Sequence, residues 1–290
     1  SMKSVDLSKR AKFRVTGKDR VRYLNGQVSN DVRKVSSKET ISACVTTAKG
    51  KLEGLIWISE DTSSESLLID ADPELRESLM MRLSKYIISD DVEIFDVTED
   101  YQLIHDLGHD DDNLMLSNRF CCNGVDRWIK VGDLIAGADW MSDKSLEEYR
   151  IKQGVPAWGY ELNSNTLPQE ALLERKSVDF HKGCYVGQEI ISRLKSVGQV
   201  RRLLVGLTFS EGPTPESGWE LLDDENKKIG EVTSVCKTDS ELIGLGYVKT
   251  GKKPMKSNNI EKNLHTEAIL RHTPFTCLLY TSPSPRDGIG

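Results

Sequence analysis

Residues 200–271 impose the strongest constraint on the fold. Short strand-like runs at 203–209, 219–222, 228–235, 242–248 and 267–271 recur there, separated by turns of Gly, Pro, Asn and Asp. Even spacing of short strands with turn residues between them predicts a small antiparallel β-barrel, a C-terminal domain spanning residues 200–275. The preceding 1–199 reads differently. Runs 41–47, 55–59, 66–71 and 92–97 are strand-like. Asp72-Pro73 marks a helix start, and Leu75, Leu79, Leu83 and Tyr86 give that helix one apolar face running to Asp90-Asp91. A second helix is expected from Ser145, with Glu148 at capping-box spacing, to Gly154. The fold class is therefore α+β. From about Thr276 the chain has no place in a barrel. It resembles the translation product of a sequencing adapter, so 276–290 is expected to be a non-native tail without functional weight.

A net charge of −6 argues against non-specific nucleic-acid binding, which needs a positive field. No apolar run approaches the roughly 20 residues that cross a bilayer. The N-terminus has no hydrophobic signal region, so a cytoplasmic location is expected. The six cysteines, Cys44, Cys121, Cys122, Cys184, Cys236 and Cys277, are scattered without a Cys-x-x-Cys, which suggests neither a disulfide framework nor a zinc site. Cys121 and Cys122, taken as neighbours on a strand, point to opposite faces and make a poor chelate. His105, His109, His265 and His272 are isolated. The acidic run at 109–113 reads as a solvated turn rather than a calcium loop.

The chemistry concentrates in Lys182-Gly183-Cys184-Tyr185-Val186-Gly187-Gln188-Glu189, followed by a helix with Ile190, Ile191, Leu194 and Val197. A cysteine just ahead of a helix N-terminus, with a lysine beside it, has its thiolate favoured by the helix dipole and the cation. That makes Cys184 a candidate nucleophile or soft metal ligand. A cysteine buried in a Gly-rich turn, with Lys182 in solvent, fits the same residues equally well.

This octapeptide resembles the signature of the YgfZ-type folate-binding proteins, relatives of the aminomethyltransferase (T-protein) of glycine cleavage. The resemblance continues at residues 23–32, at 150–156 and 167–171, at 198–207 where the barrel begins, and at 229–234 and 243–248 within it. Together these segments cover nearly the whole chain except the tail. The resemblance implies two α+β units and a barrel around a central opening that holds tetrahydrofolate or a one-carbon derivative. It also implies a role in assembly or repair of iron–sulfur enzymes, with iron–sulfur client or assembly proteins as partners. By the same resemblance Cys184 is the key functional residue, with Lys182 beside it, and Tyr185, Gln188 and Glu189 share its signature.

Among further folate contacts, Asn25, Asn30 and Tyr160 are candidates to hydrogen-bond or stack on the pterin. Arg201 and Arg202 stand where the family's folate-tail arginine lies, and Arg202 is favoured because a guanidinium suits a glutamate carboxylate. Trp57 and Trp158 are expected to be core or rim aromatics. One departure separates two functions. Where the aminomethyltransferases carry an Asp-Asp pair that meets the reactive nitrogens of folate, this chain has Gly54-Leu55, with Glu53 one position off. A folate-dependent aminomethyltransferase is therefore the alternative, and the weaker one.

Overall fold

The computed structural model describes residues 2–108, 116–196, 199–210 and 212–271. The acidic run at 109–113, His272, Cys277 and the tail lie outside the described residues. The chain divides into two compact units.

The first unit comprises Ser1–Ser142, Asn163–Pro168 and Leu173–Gly198. Its strands are β1 (Ser4–Asp6), β2 (Ala11–Thr16), β3 (Ile41–Thr46), β4 (Leu52–Asp61), β5 (Ser66–Ala71), β6 (Glu93–Asp96), β7 (Tyr101–Leu107), β8 (Leu116–Ser117) and β9 (Gly124–Lys130). They form an antiparallel sheet ordered β3-β4-β5-β2-β6 and a second ordered β1-β7-β9-β8. The helices of this unit are α1 (Arg20–Asn25), α2 (Arg76–Ser84), and two C-terminal ones, Glu174–Ser177 and Gln188–Ser196.

α2 is shorter than its apolar spacing predicts. Leu79 and Leu83 are fully buried, but the helix ends at Ser84 and Tyr86 lies half-exposed beyond it. Pro73 occupies the first position of a 3-10 turn that leads into α2, where its missing N–H costs nothing. Cys121 and Cys122 lie in a turn, not on a strand, and Cys121 adopts a left-handed φ of 64°.

A buried charge cluster ties the two sheets of this unit together. Arg119 donates to both carboxylate oxygens of Asp70 on β5, at 2.7 and 2.6 Å, and to Asp126 on β9 at 2.8 Å. Its guanidinium also lies 4.9 Å from the ring centre of Trp57. His105 Nδ1 is 2.7 Å from Asp126 Oδ1. Burial works against charge here, but Arg119 and then His105 hold the Asp126 carboxyl well below its ordinary range.

The second unit comprises Asp143–Leu162, Gln169–Leu172 and Gln199–Gly290. It contains α3 (Asp143–Gln153) and six strands, β10 (Arg202–Phe209), β11 (Glu220–Leu222), β12 (Lys228–Lys237), β13 (Leu242–Lys249), β14 (Lys256–Asn259) and β15 (Leu264–Arg271). The strands close an antiparallel barrel ordered β10-β13-β12-β11-β14-β15. Leu207, Phe209, Trp219, Leu221, Ile229 and Val248 fill its core. α3 buries Ile151 against Leu204, Ile243 and Leu245. Arg150 on α3 donates to Glu161 at 2.7 Å and to Ser234 at 3.0 Å, and the Tyr247 hydroxyl closes the network on the Glu161 carbonyl. The 150–156 motif thus anchors α3 to the barrel. Gly154 ends α3 with φ of 74°, as a helix C-terminal glycine does.

Candidate functional site

Two short helices, α4 (Glu174–Ser177) and α5 (Gln188–Ser196), bracket the segment that carries Cys184. The segment from α4 to α5 is stitched to residues 25–32 by hydrogen bonds spanning about half the chain. Ser29 Oγ donates to the Ser177 carbonyl at 2.5 Å, and Asp179 N donates to the Ser29 carbonyl at 2.9 Å. Asn30 Nδ2 donates to the carbonyls of Ser42 and Lys176, while its Oδ1 accepts from Asp31 N. Asn25 Oδ1 accepts from Val32 N at 3.0 Å. The Asn30 amide and the Asn25 side-chain oxygen are therefore occupied in shaping this loop. Residues 23–32 and 182–189, distant in sequence, form one structure.

Lys182 is the centre of that structure. It is buried, and its ammonium donates to the Asn25 carbonyl at 2.5 Å and the Val28 carbonyl at 2.8 Å. It also lies 4.5 Å from the ring centre of Tyr185, a cation–π contact. Burial lowers its pKa to about 8, with Asp31 and Asp179 opposing. The side chain turns inward rather than into solvent.

Cys184, two positions on, is exposed with its thiol free. Its turn is fixed on both sides. Lys182 holds the entrance. At the exit, Val186 N donates to the Gly26 carbonyl at 3.2 Å, and Thr46 Oγ1 on β3 donates to the Val186 carbonyl at 3.2 Å. Gly187 follows with φ of 92°, and a Cβ there would lie 2.0 Å from Thr46 Oγ1 and 2.8 Å from the Thr47 carbonyl. Only glycine fits. Gly183 is different: a Cβ would meet nothing within 4 Å and its φ is unremarkable. α5 then begins, with Ile191 fully buried against Tyr185 and Val178. Gln188 Nε2 donates to the Gly183 carbonyl at 3.4 Å, and Glu189 is exposed and paired with Arg193.

Behind the turn lie buried polar atoms that sequence reasoning did not single out. Glu174 Oε2 and the Tyr185 hydroxyl have no hydrogen-bond partner among the described residues. Burial raises the pKa of both groups. Cys44 on β3 is fully enclosed, and burial pushes its thiol up to about 12, with Glu174 adding to the effect. The signal for Glu174 was weak: one acidic residue among several charged ones in a short helix.

On β4, Glu53 is the extra residue of a bulge opposite Val45 and Thr46. Its carboxylate pairs with Arg82 at 2.7 Å, and Arg82 also donates to Gln27 and the Thr46 carbonyl. Gly54 faces Leu75 and Leu79 across the space its own side chain would fill.

Tyr160 and Arg202 belong to the second unit. Tyr160 is exposed, with Arg150 5.9 Å from its ring centre. Arg202 donates to Glu170 at 2.7 Å and stacks 4.1 Å from the ring centre of Tyr247. It borders a cavity of about 330 Å³ at the end of the barrel. Glu170, within the 167–171 motif, is thus the partner of the arginine that the sequence suggested for a folate tail.

No protein-family model matches the chain. A chloroplastic protein of Arabidopsis thaliana, provisionally named a transferase, is 28% identical over 287 residues, covering 84% of this chain and 65% of that protein. The mitochondrial iron-sulfur cluster assembly factor IBA57 homolog of Mycosarcoma maydis is 27% identical, covering 71% of this chain and 57% of its own length. The tRNA-modifying protein YgfZ of Hamiltonella defensa is 28% identical, covering 78% and 76%. The chain spans roughly three-fifths of the length of the first three curated relatives it matches, 65%, 57% and 62%. The crystal structure of the glycine cleavage system aminomethyltransferase T from Bartonella henselae superposes with a TM-score of 0.78 at 15% identity, covering 94% of this chain and 86% of that one. The α+β architecture with its closed barrel is therefore the T-protein fold, and by sequence and fold together the chain matches the YgfZ/aminomethyltransferase-like family.

Proposed function

We propose that this chain is a tetrahydrofolate-binding accessory protein for assembly or repair of iron–sulfur enzymes, acting through Cys184. One observation carries the reading: Cys184 is an exposed thiol on a turn whose two flanks are clamped by hydrogen bonds to distant segments of the chain. A thiol held this way is presented to a partner at little entropic cost. Sequence relationship to an IBA57-named assembly factor and to YgfZ-named proteins supports the iron–sulfur assignment. Among the described residues no group of three or more His, Cys, Asp or Glu side chains is placed to hold a metal ion. A cluster met by Cys184, as a transient ligand or in redox exchange, would take its other ligands from the client or assembly protein.

The residues also suit folate. A pterin offers N–H donors and a carbonyl, and Glu174 Oε2 and the Tyr185 hydroxyl are buried groups lacking such partners among the described residues. Bound there, tetrahydrofolate would supply one-carbon or reducing chemistry, while Gln188 and Glu189 border the same turn. Arg202 and Tyr160 remain proposed folate contacts on the family resemblance alone. Asn25 and Asn30 act by shaping the loop that carries Lys182 and Cys184. The described residues include no helix long and apolar enough to cross a membrane; a cytoplasmic location without nucleic-acid or membrane partners remains part of the proposal.

Aminomethyl transfer is the second reading, and the pairing of Glu53 with Arg82 weighs against it because the acidic residue beside Gly54-Leu55 is already engaged. A titration of the purified chain with tetrahydrofolate, followed by an aminomethyl-transfer assay with a lipoyl-protein, separates the two. Saturable folate binding without transfer is expected. Transfer activity would overturn the proposal in favour of the enzyme.

A further inference from the structure

A cavity of about 410 Å³ lies within the first unit, bordered by residues at the start of β3, by residues 116–123 and by α4. None of the residues of the Cys184 turn borders it. Four cations do: Lys34, Lys38, Arg175 and Lys176. Glu39 is the one acidic side chain in the described lining, and it is exposed. Lys34 is paired with Asp179 at 2.7 Å, and the Arg175 guanidinium lies 3.9 Å from the Glu174 carboxylate. Lys176 directs its ammonium to the Asn118 carbonyl at 3.0 Å and lies 3.6 Å from Cys121 Sγ. The excess of positive charge stands out in a chain whose net charge is −6.

A second, independent feature points the same way. Thr40 and Ser117 both border the cavity, are 5% and 2% exposed, and have hydroxyls with no hydrogen-bond partner among the described residues. Buried hydroxyls left unpaired are costly, and they are rare without a ligand or ion to explain them. A group with several anionic oxygens would give both hydroxyls a partner and add charge-assisted hydrogen bonds from Lys38 and Lys176. An apolar or cationic ligand would do neither. The volume suits a small molecule.

We propose that this cavity is a binding site for a small polyanion, a ligand carrying several phosphate or carboxylate oxygens, distinct from the Cys184 turn. The site does not depend on the folate or iron–sulfur reading, and Cys184→Ala leaves it intact.

Calorimetric titration of the full chain with inorganic pyrophosphate, and separately with triglutamate, tests it. One site per chain is expected for at least one of these probes, and the probe that binds tells phosphate from carboxylate chemistry. Lys38→Glu and Ser117→Ala each weaken binding by about fivefold or more, the size of one lost charge-assisted or neutral hydrogen bond. Lys38 is exposed, so its substitution leaves the fold unchanged. Lys9→Glu, a matched charge reversal at an exposed position outside the lining, leaves the affinity unaltered. Absence of saturable binding by both probes overturns the proposal. So does an equal loss in Lys9→Glu and Lys38→Glu, which would mean diffuse attraction to the surface.

Discussion

The Lys182 ammonium donates to the carbonyl of Asn25, 157 positions earlier in the chain, and through this bond the segment carrying Cys184 is fastened to the loop after α1. A carbonyl at the end of a helix is a favourable place for a cation, because the helix dipole is negative there. Lys182 therefore serves first as the foundation of the turn that presents the cysteine.

Replacing Lys182 with Met removes the donor from the Asn25 and Val28 carbonyls while keeping most of the apolar stem. The buried acceptors are then left unpaired, and chemical denaturation at neutral pH should show a loss of about 1–3 kcal/mol. Unchanged stability would mean that the two bonds contribute nothing net.

The same lysine makes a pH prediction. Burial lowers its pKa from 10.5 to about 8 in the folded chain. Between those values the folded state has released a proton that the unfolded state still holds, so Lys182 makes stability rise with pH across this window. Denaturation curves of the wild type and Lys182→Met should diverge from about pH 8 upward, with the wild type gaining. A difference that stays flat or narrows there contradicts the assignment.

Gly183 and Gly187 flank Cys184 but differ in what they tolerate. Gly187→Ala forces a Cβ into Thr46 and the Thr47 carbonyl at a positive φ, and thermal unfolding should reveal a loss of about 1–3 kcal/mol. Gly183→Ala meets open space and should unfold like the wild type. Equal effects of the two substitutions would show that the turn is not held as described.

Cysteine labelling distinguishes the thiols directly. Cys184 is exposed, whereas Cys44 is enclosed and its thiol is pushed up to about 12 by burial. Mass spectrometry after brief treatment of the native chain with iodoacetamide should find Cys184 modified and Cys44 untouched until denaturant is added.

The cluster joining the two sheets of the first unit is sensitive to losing its cation. Arg119→Met leaves Asp70 and Asp126 buried without their shared partner, and a loss of about 3–5 kcal/mol is expected in equilibrium unfolding. A cost below about 1 kcal/mol would place the cluster outside the stabilising core.

The barrel strands were legible because each is a short apolar or β-branched run closed by turn residues, and β14 alone escaped, its polar Lys256–Asn259 hiding the strand. Strands β2 and β9 escaped for a different reason. Lys12 sits fully buried in β2 because its ammonium finds the Ser8, Arg10 and Thr98 carbonyls, and Asp126 sits in β9 because Arg119 meets it. Periodicity reads such charges as solvent-facing, since the partners that make burial tolerable come from elsewhere in the chain. Proximity in sequence also misled at the site. Lys182 stands two residues from Cys184, which suggested a cation aimed at the thiol, yet its side chain runs inward to residues 25–28. The octapeptide located the turn; the contacts that hold it, from Asn25, Gly26, Val28 and Thr46, are tertiary.

The proposed role of Cys184, supporting iron–sulfur enzyme activity from its clamped turn, is tested by complementation. A cell lacking its own copy of such a protein is supplied with the wild type or with Cys184→Ala, and the activity of an iron–sulfur enzyme is measured alongside the amount of folded protein. Restored activity is expected with the wild type and none beyond background with Cys184→Ala at equal protein levels, since the thiol is exposed and replacing it should leave the fold intact. Full restoration by Cys184→Ala would contradict that role.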